Sequence, residues 1–288
     1  MVANRPLMRI CLSLAVAVSV SQRAAAADDF PSIFTRATAY VAEFKAQFAA
    51  VIWHEEYEQV DRLPLQFGAS GGRFTRASRR RLESEMLFIP ADANATWLTV
   101  RDVIAVDGKP VPRRLPEILA ARDVKMRDLR ALSEQNGKYN IGAIARNFNE
   151  PTLALLFLDS RYRARFEFSD GGSDLVDGQP VRRIQFTETT TPTVIRSQQR
   201  DVRASGALLV EPATGRVLRT EMTLLQDQRR TRGHITVSYG MNAKLGRMVP
   251  VAMNEWYGYT WSRPEEGTSC TAKYSDFRRF ETTGRVVP

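Results

Sequence analysis

Cysteine and histidine are scarce in this chain, two of each, and no apolar run reaches membrane-spanning length. Two cysteines cannot staple a disulfide-dense scaffold, and two histidines cannot build a histidine-rich metal site. A transmembrane helix needs ~18–20 consecutive apolar residues, and none are found. No C-x-x-C and no G-x-G-x-x-G occurs. Gly108-Lys109 and Gly137-Lys138 lack the further glycine and hydroxyl of a phosphate-binding loop. What remains is an ordinary globular balance: 288 residues, 43% hydrophobic and 25% charged, enough to bury a large core.

Residues 1–27 read as a cleaved secretory signal. Arg5 and Arg9 form its basic start, Ile10 to Val20 its short apolar stretch, and Ala24 to Ala27 the small residues before Asp28. An uncleaved, membrane-tethered form is the alternative. Cys11 lies too early, and after the wrong residues, for a lipoprotein cleavage site. Removal takes three arginines and no acid, so the formal charge falls from +9 to +6. Cys270 is then alone and is expected to be buried and inert. An exported chain is periplasmic or secreted, so nucleic acid is not an expected partner. The basic run Arg76, Arg79, Arg80 and Arg81 suits anionic headgroups, or is simply the solvated start of a strand.

Hydrophobic periodicity sets the layout. Ile33, Ala37, Tyr40, Val41, Phe44 and Phe48 recur at helical spacing, with Pro31 in the first turn. Val51, Trp53 and Tyr57 then alternate with polar residues as a half-buried strand. Leu82, Met86 and Phe88 mark a second strand, and Trp97 to Val106 a third that stops at an Asp107-Gly108 turn. The middle is helical, from Leu115 to about Asn136-Gly137. Pro151–Leu158 is apolar nearly all round and should be buried or cover something apolar. From Arg163 onward strand follows strand, with hairpin signals at Asp177-Gly178 and Pro212-Ala213-Thr214-Gly215. One domain over 28–288 is the simplest account, with a helical insertion at about 113–160.

Catalytic motifs fail on context. Gly68-Ala69-Ser70-Gly71-Gly72 spells a nucleophile elbow, and His234 and many aspartates could complete a triad. The elbow needs a parallel strand before it and a helix after it, and neither is expected here. A Ser70-dependent esterase is therefore only a remote alternative. His54-Glu55-Glu56-Tyr57-Glu58 lacks the second histidine of a zinc grip, and strand alternation sends His54 and Glu55 to opposite faces. Glu55 shares the face of Trp53 and Tyr57, so it is either paired with an arginine or poised in a cavity.

Tyr40-Val41-x-x-Phe44, Arg101-Asp102-Val103 leading to Val106-Asp107-Gly108, and Tyr139-Asn140-Ile141-Gly142 carry a resemblance. Glu211-Pro212-x-Thr214-Gly215-Arg216-Val217 and Tyr274-Ser275-Asp276-Phe277-Arg278-Arg279-Phe280 continue it. Together they resemble the LolA/LolB-like superfamily, which includes outer-membrane lipoprotein-sorting proteins and the sensor domain of RseB-type regulators. The resemblance implies an α+β fold: a curved antiparallel half-barrel wrapped around an N-terminal helix and a central helical insertion. Nine to eleven strands are expected. It also implies a cavity between sheet and helices that holds acyl chains. With no residue constellation for chemistry, no catalysis, cofactor or metal is expected.

The inward faces of the strands nominate Trp53, Tyr57, Met86, Phe88, Phe166, Phe168, Met222 and Tyr257 as cavity lining, with Leu156 in a plug or lid segment. The working expectation is non-catalytic binding of a lipid or a lipoprotein acyl chain in the cell envelope. The rival is a periplasmic interaction or sensor module in which the same residues only fill a core.

Overall fold

A computed structural model describes residues 29–49, 51–63, 66–67, 73–74, 77–90, 97–120, 123–146, 148–279 and 285–287. The expected signal segment, Ser70 and Arg76 lie outside these residues. Asp29 caps the first helix, α1 (Phe30–Phe48), by accepting a hydrogen bond from the Ser32 N–H at 3.1 Å. Of its apolar stripe, Ile33, Ala37, Val41, Phe44 and Phe48 are buried and Tyr40 is half-buried.

Twelve strands form one open sheet: β1 (Val51–Arg62), β2 (Ala77–Pro90), β3 (Trp97–Val106), β4 (Lys109–Pro110), β5 (Phe166–Val176) and β6 (Gln179–Glu188), followed by β7 (Ile195–Ser197), β8 (Arg200–Val210), β9 (Val217–Gln226), β10 (Thr231–Asn242), β11 (Arg247–Tyr259) and β12 (Gly267–Arg279). Their spatial order is β4-β3-β2-β1-β12-β11-β10-β9-β8-β6-β5, with β7 paired to β8. All twelve pair antiparallel. The sheet holds one strand more than the expected range. β4 and β7 are two and three residues long, too short for alternation to register in sequence. One parallel pair also exists, Arg285–Val287 against Asp123–Lys125, outside the large sheet.

The turns follow sequence chemistry. Asp107-Gly108 and Asp177-Gly178 all have positive φ, the two-residue hairpin geometry that matches strand twist. Gly215, at φ +72, closes the β8–β9 hairpin directly against the backbone of Arg36 in α1.

The concave face holds α1 and the turn Leu153–Leu158, whose six residues are all buried. This turn packs against α1 and β9 inside the core. The helices of the insertion, α2 (Leu115–Leu119) and α3 (Met126–Asn136), sit on the other face. There Leu115, Leu129 and Leu132 cover Ile52, Leu87, Ile89 and Val100, a second core separate from the first. Asp102, pointing to the same side, accepts hydrogen bonds from the N–H groups of Arg114 and Leu115 at the start of α2. The insertion therefore straddles the sheet: its helices lie outside, and residues 140–146 and 148–158 lie inside.

Candidate binding groove

The nominated inward residues do share the concave face. Trp53 stacks on Phe277 with ring centroids 5.8 Å apart, and Phe48 of α1 contacts Trp53 and Phe88 at 5.4 Å each. Phe166 stacks on Phe157 at 4.4 Å, and Phe168 meets Phe34 of α1 at 5.0 Å. Leu156 and Met222 are buried in the same cluster. The α1 side chains and the 153–158 turn occupy the space in front of these rings. Met86 borders a void of about 20 Å³, room for about one water and far too small for an acyl chain. Phe168 and Met222 also border an open polar concavity of about 820 Å³ that includes the outward residues Glu167, Gln185, Thr187 and His234.

A belt of buried polar groups crosses the concave face beside this apolar packing. Glu55 is fully buried and takes a two-pronged pair from Arg101, at 2.7 and 2.8 Å. Of the two sequence alternatives for Glu55, the structure has the arginine pair. Arg101 also donates to the Asn149 side chain and carbonyl, at 3.0 and 3.1 Å. Asn149 donates to the Tyr57 hydroxyl, and the hydroxyls of Tyr57 and Tyr257 both donate to Glu255, at 2.6 and 2.7 Å. Burial, reinforced by Glu255, pushes both tyrosines well above their ordinary range. Gln59 and Ile141 accept from the buried Arg146, whose guanidinium lies 5.3 Å over the Tyr257 ring. Segment 140–150 is thus bolted to the sheet by charge-assisted bonds. Cys270, buried here as expected, is pushed up to about 12 by desolvation and Glu255, so the thiolate is not populated at neutral pH.

Glu150 belongs to this belt and carries a pH signature. Burial lifts its carboxyl from 4.5 to about 7, against the partial opposition of Arg101. An acid whose folded value is raised loses stability as pH climbs from the unfolded value through the folded one. Wild-type stability relative to Glu150→Gln should therefore fall by ~1–3 kcal/mol between pH 4.5 and pH 7. Urea titrations of both proteins across that range read the difference directly. Parallel curves would show that Glu150 is not held protonated by the fold.

Where segment 140–150 leaves the belt, it overhangs the end of the sheet and leaves a groove of about 270 Å³. Ala143, Ile144, Ala145 and Phe148 form its roof, and Val202, Leu224, Gly233 and Tyr257 its floor. Ser197, Gln226, Arg229 and Arg232 supply polar rim and wall. Gly233 is required at the floor, because a Cβ there would sit 2.8 Å from the Tyr257 ring. Arg232 lies 5.2 Å over the Trp256 ring, and its Nε is buried without a hydrogen-bond partner. An orphaned buried donor of that charge calls for an acceptor. The adjoining turns hold Gln198 (φ 49), Gln199 (φ 63) and Arg230 (φ 52) in the left-handed region, a strain that clusters at functional sites.

Among the nominated residues, Tyr257 alone lines this groove. Strand alternation could have marked Val202 and Leu224, but the roof has no periodicity to read. The basic run of the earlier strand is differently placed: Arg79 faces Glu58 at 3.6 Å, Arg80 faces Asp107 at 3.7 Å and Arg81 faces Glu56 at 3.0 Å. Among the described residues no cluster of histidine, cysteine and carboxylate groups could hold a metal ion. His234 points outward and its Nδ1 lies 3.1 Å from the Thr223 hydroxyl. No helix among the described residues is long and apolar enough to cross a membrane.

Fold and groove together define a curved α+β half-barrel with one face filled and one end open. In sequence, the chain matches no family model and no curated protein. In structure, it is similar to an outer membrane lipoprotein-sorting protein domain from Vibrio parahaemolyticus, at 12% identity and a TM-score of 0.37, over 85% of this chain and 93% of that one. It is also similar to a DUF1329 family protein from Desulfovibrio piger, at 15% identity and 0.35, over 85% and 92%. A LolA superfamily protein from Nitrosomonas europaea matches at 11% identity and 0.34, over 87% and 93%.

Proposed function

We propose that this chain is a non-catalytic cell-envelope protein that binds a lipid or a lipoprotein acyl chain, with the end groove as the seat. The observation that carries the reading is the groove's two-part chemistry. An apolar floor and roof from Val202, Leu224, Ile144 and Phe148 meet Arg232, whose buried Nε has no hydrogen-bond partner, and the exposed Arg229. That is the pattern an amphiphile with an anionic head requires: area for the chain, a cation for the head. The nominated rings of the concave face then serve as the rigid wall behind the groove.

Ala143 and Ala145 are exposed on the roof, so a tryptophan there adds bulk to the groove without entering the core. Ala143→Trp should weaken uptake of a fluorescent fatty-acid probe by ~10–100-fold while leaving the melting temperature nearly unchanged. Met86→Trp, in the packed face, should instead cost ~1–3 kcal/mol of stability. Native mass spectrometry of the wild type should show co-purifying lipid. A wild type that carries no lipid and takes up no probe would sink the reading.

A further inference from the structure

Three hairpin turns end side by side around the groove mouth. The Thr260 N–H donates to the Arg230 carbonyl at 2.7 Å, Arg229 donates to Gln198, and Arg232 donates to the Ser262 carbonyl at 3.4 Å. On this platform Trp261 is 61% exposed and Tyr259 36%. The two rings stack at 4.8 Å and 9°, and the Arg230 guanidinium lies 5.0 Å over the Trp261 ring. A large exposed tryptophan locked in one orientation by a neighbouring ring and a cation is a costly arrangement for a surface that meets only water.

Charge is unbalanced at the same place. Residues 195–203, 226–232 and 259–266 hold seven arginines against four carboxylates. Asp227 is engaged by Arg203 and Asp201 by Arg196. Arg200, Arg229, Arg230 and Arg263 make no ion pair among the described residues. The arginines of β2 and β6, by contrast, face carboxylates on neighbouring strands or along their own hairpin.

We propose that this end of the half-barrel docks on an anionic lipid bilayer, with Trp261 and Tyr259 at headgroup depth and the unpaired arginines on lipid phosphates. Tryptophan and tyrosine favour that depth because each ring is apolar with one polar edge. The arginine excess supplies the complementary charge, each cation near an anionic surface raising partition about fivefold. Docking this way would set the groove mouth against the membrane. The inference goes beyond the groove reading and does not need it, since vesicle binding requires no ligand inside.

The test is co-flotation of the full chain with phosphatidylcholine vesicles, with and without phosphatidylglycerol. Wild type should float only with phosphatidylglycerol, and less as salt rises. Arg229→Gln with Arg230→Gln should lower partition roughly 25-fold, and Trp261→Ala should also weaken it. The ion-paired controls Arg79→Gln and Arg81→Gln should change it by less than about twofold. Equal flotation on neutral vesicles, no flotation at low salt, or controls that weaken it as much would each overturn the proposal. So would binding of soluble heparin as tight as vesicle binding and indifferent to Trp261→Ala. Probe uptake by Trp261→Ala in the absence of vesicles reports on the groove separately.

Discussion

Replacing Arg101 by methionine should destabilise the protein by ~3–5 kcal/mol, because it strands a buried carboxylate. Glu55 has no exposed surface, and Arg101 supplies both of its strong hydrogen bonds. Burial works against the Arg101 charge, but Glu55 outweighs it and holds the guanidinium protonated. The same side chain donates twice to Asn149, so its loss also loosens segment 140–150 over the sheet. A double-mutant cycle with Glu55→Met separates the two contributions. If the cost is mainly the stranded charge, the double variant should recover most of the loss, since apolar pairs often replace buried ion pairs without penalty. Urea denaturation reads each corner of the cycle. A single-variant loss below ~1 kcal/mol would mean that water reaches Glu55.

Gly215→Ala should cost ~2–4 kcal/mol, from two sources that a control can divide. The residue sits at φ +72, where any Cβ is strained, and its Cβ would fall on the backbone of Arg36, inside contact distance. Backbone cannot move aside as a flexible side chain can, so α1 would have to lift from the β8–β9 hairpin. Arg36 also donates to the Pro212 carbonyl at 2.8 Å, which pins helix to hairpin at this point. Gly108 has the same backbone conformation, φ +75, with nothing near its missing Cβ. Gly108→Ala should cost only ~1–2 kcal/mol, the conformational share alone. Equal losses in thermal denaturation would show that the helix–hairpin approach is not tight.

Much of this architecture was legible because alternation is a local property. Trp53, Tyr57, Met86 and Phe88 fall on one face whatever lies opposite, and Asp107-Gly108 turns the chain on its own chemistry. What fills the face was not legible. Phe44 and Phe48 read only as the apolar stripe of a helix, and nothing in their spacing says which strands they will cover. Glu55 could be read as inward, but its partner Arg101 stands on β3, two strands away, and the β2–β3 register includes a shift. The groove was invisible for a related reason. Its walls are the ends of three hairpins and the aperiodic Ala143, Ile144, Ala145 and Phe148, which meet only once the insertion has crossed the sheet. Helices α2 and α3 carried a clear period, yet period does not say which face of a sheet a helix takes.

The order of the sheet has a kinetic consequence. Strands β1 to β4 form one sequential ribbon and β5 to β12 another, and within the sheet they are joined by β1 against β12. That pairing brings Val51 to Arg279, while neighbours elsewhere in the sheet are separated by fourteen residues of connecting chain at most. Closing so long a loop carries an entropy penalty that the local hairpins avoid, so the ribbons should form early and their seam late. Substitutions within the seam, such as at Tyr57 or Ala272, would then act mainly on the unfolding rate, and those inside a ribbon on the folding rate.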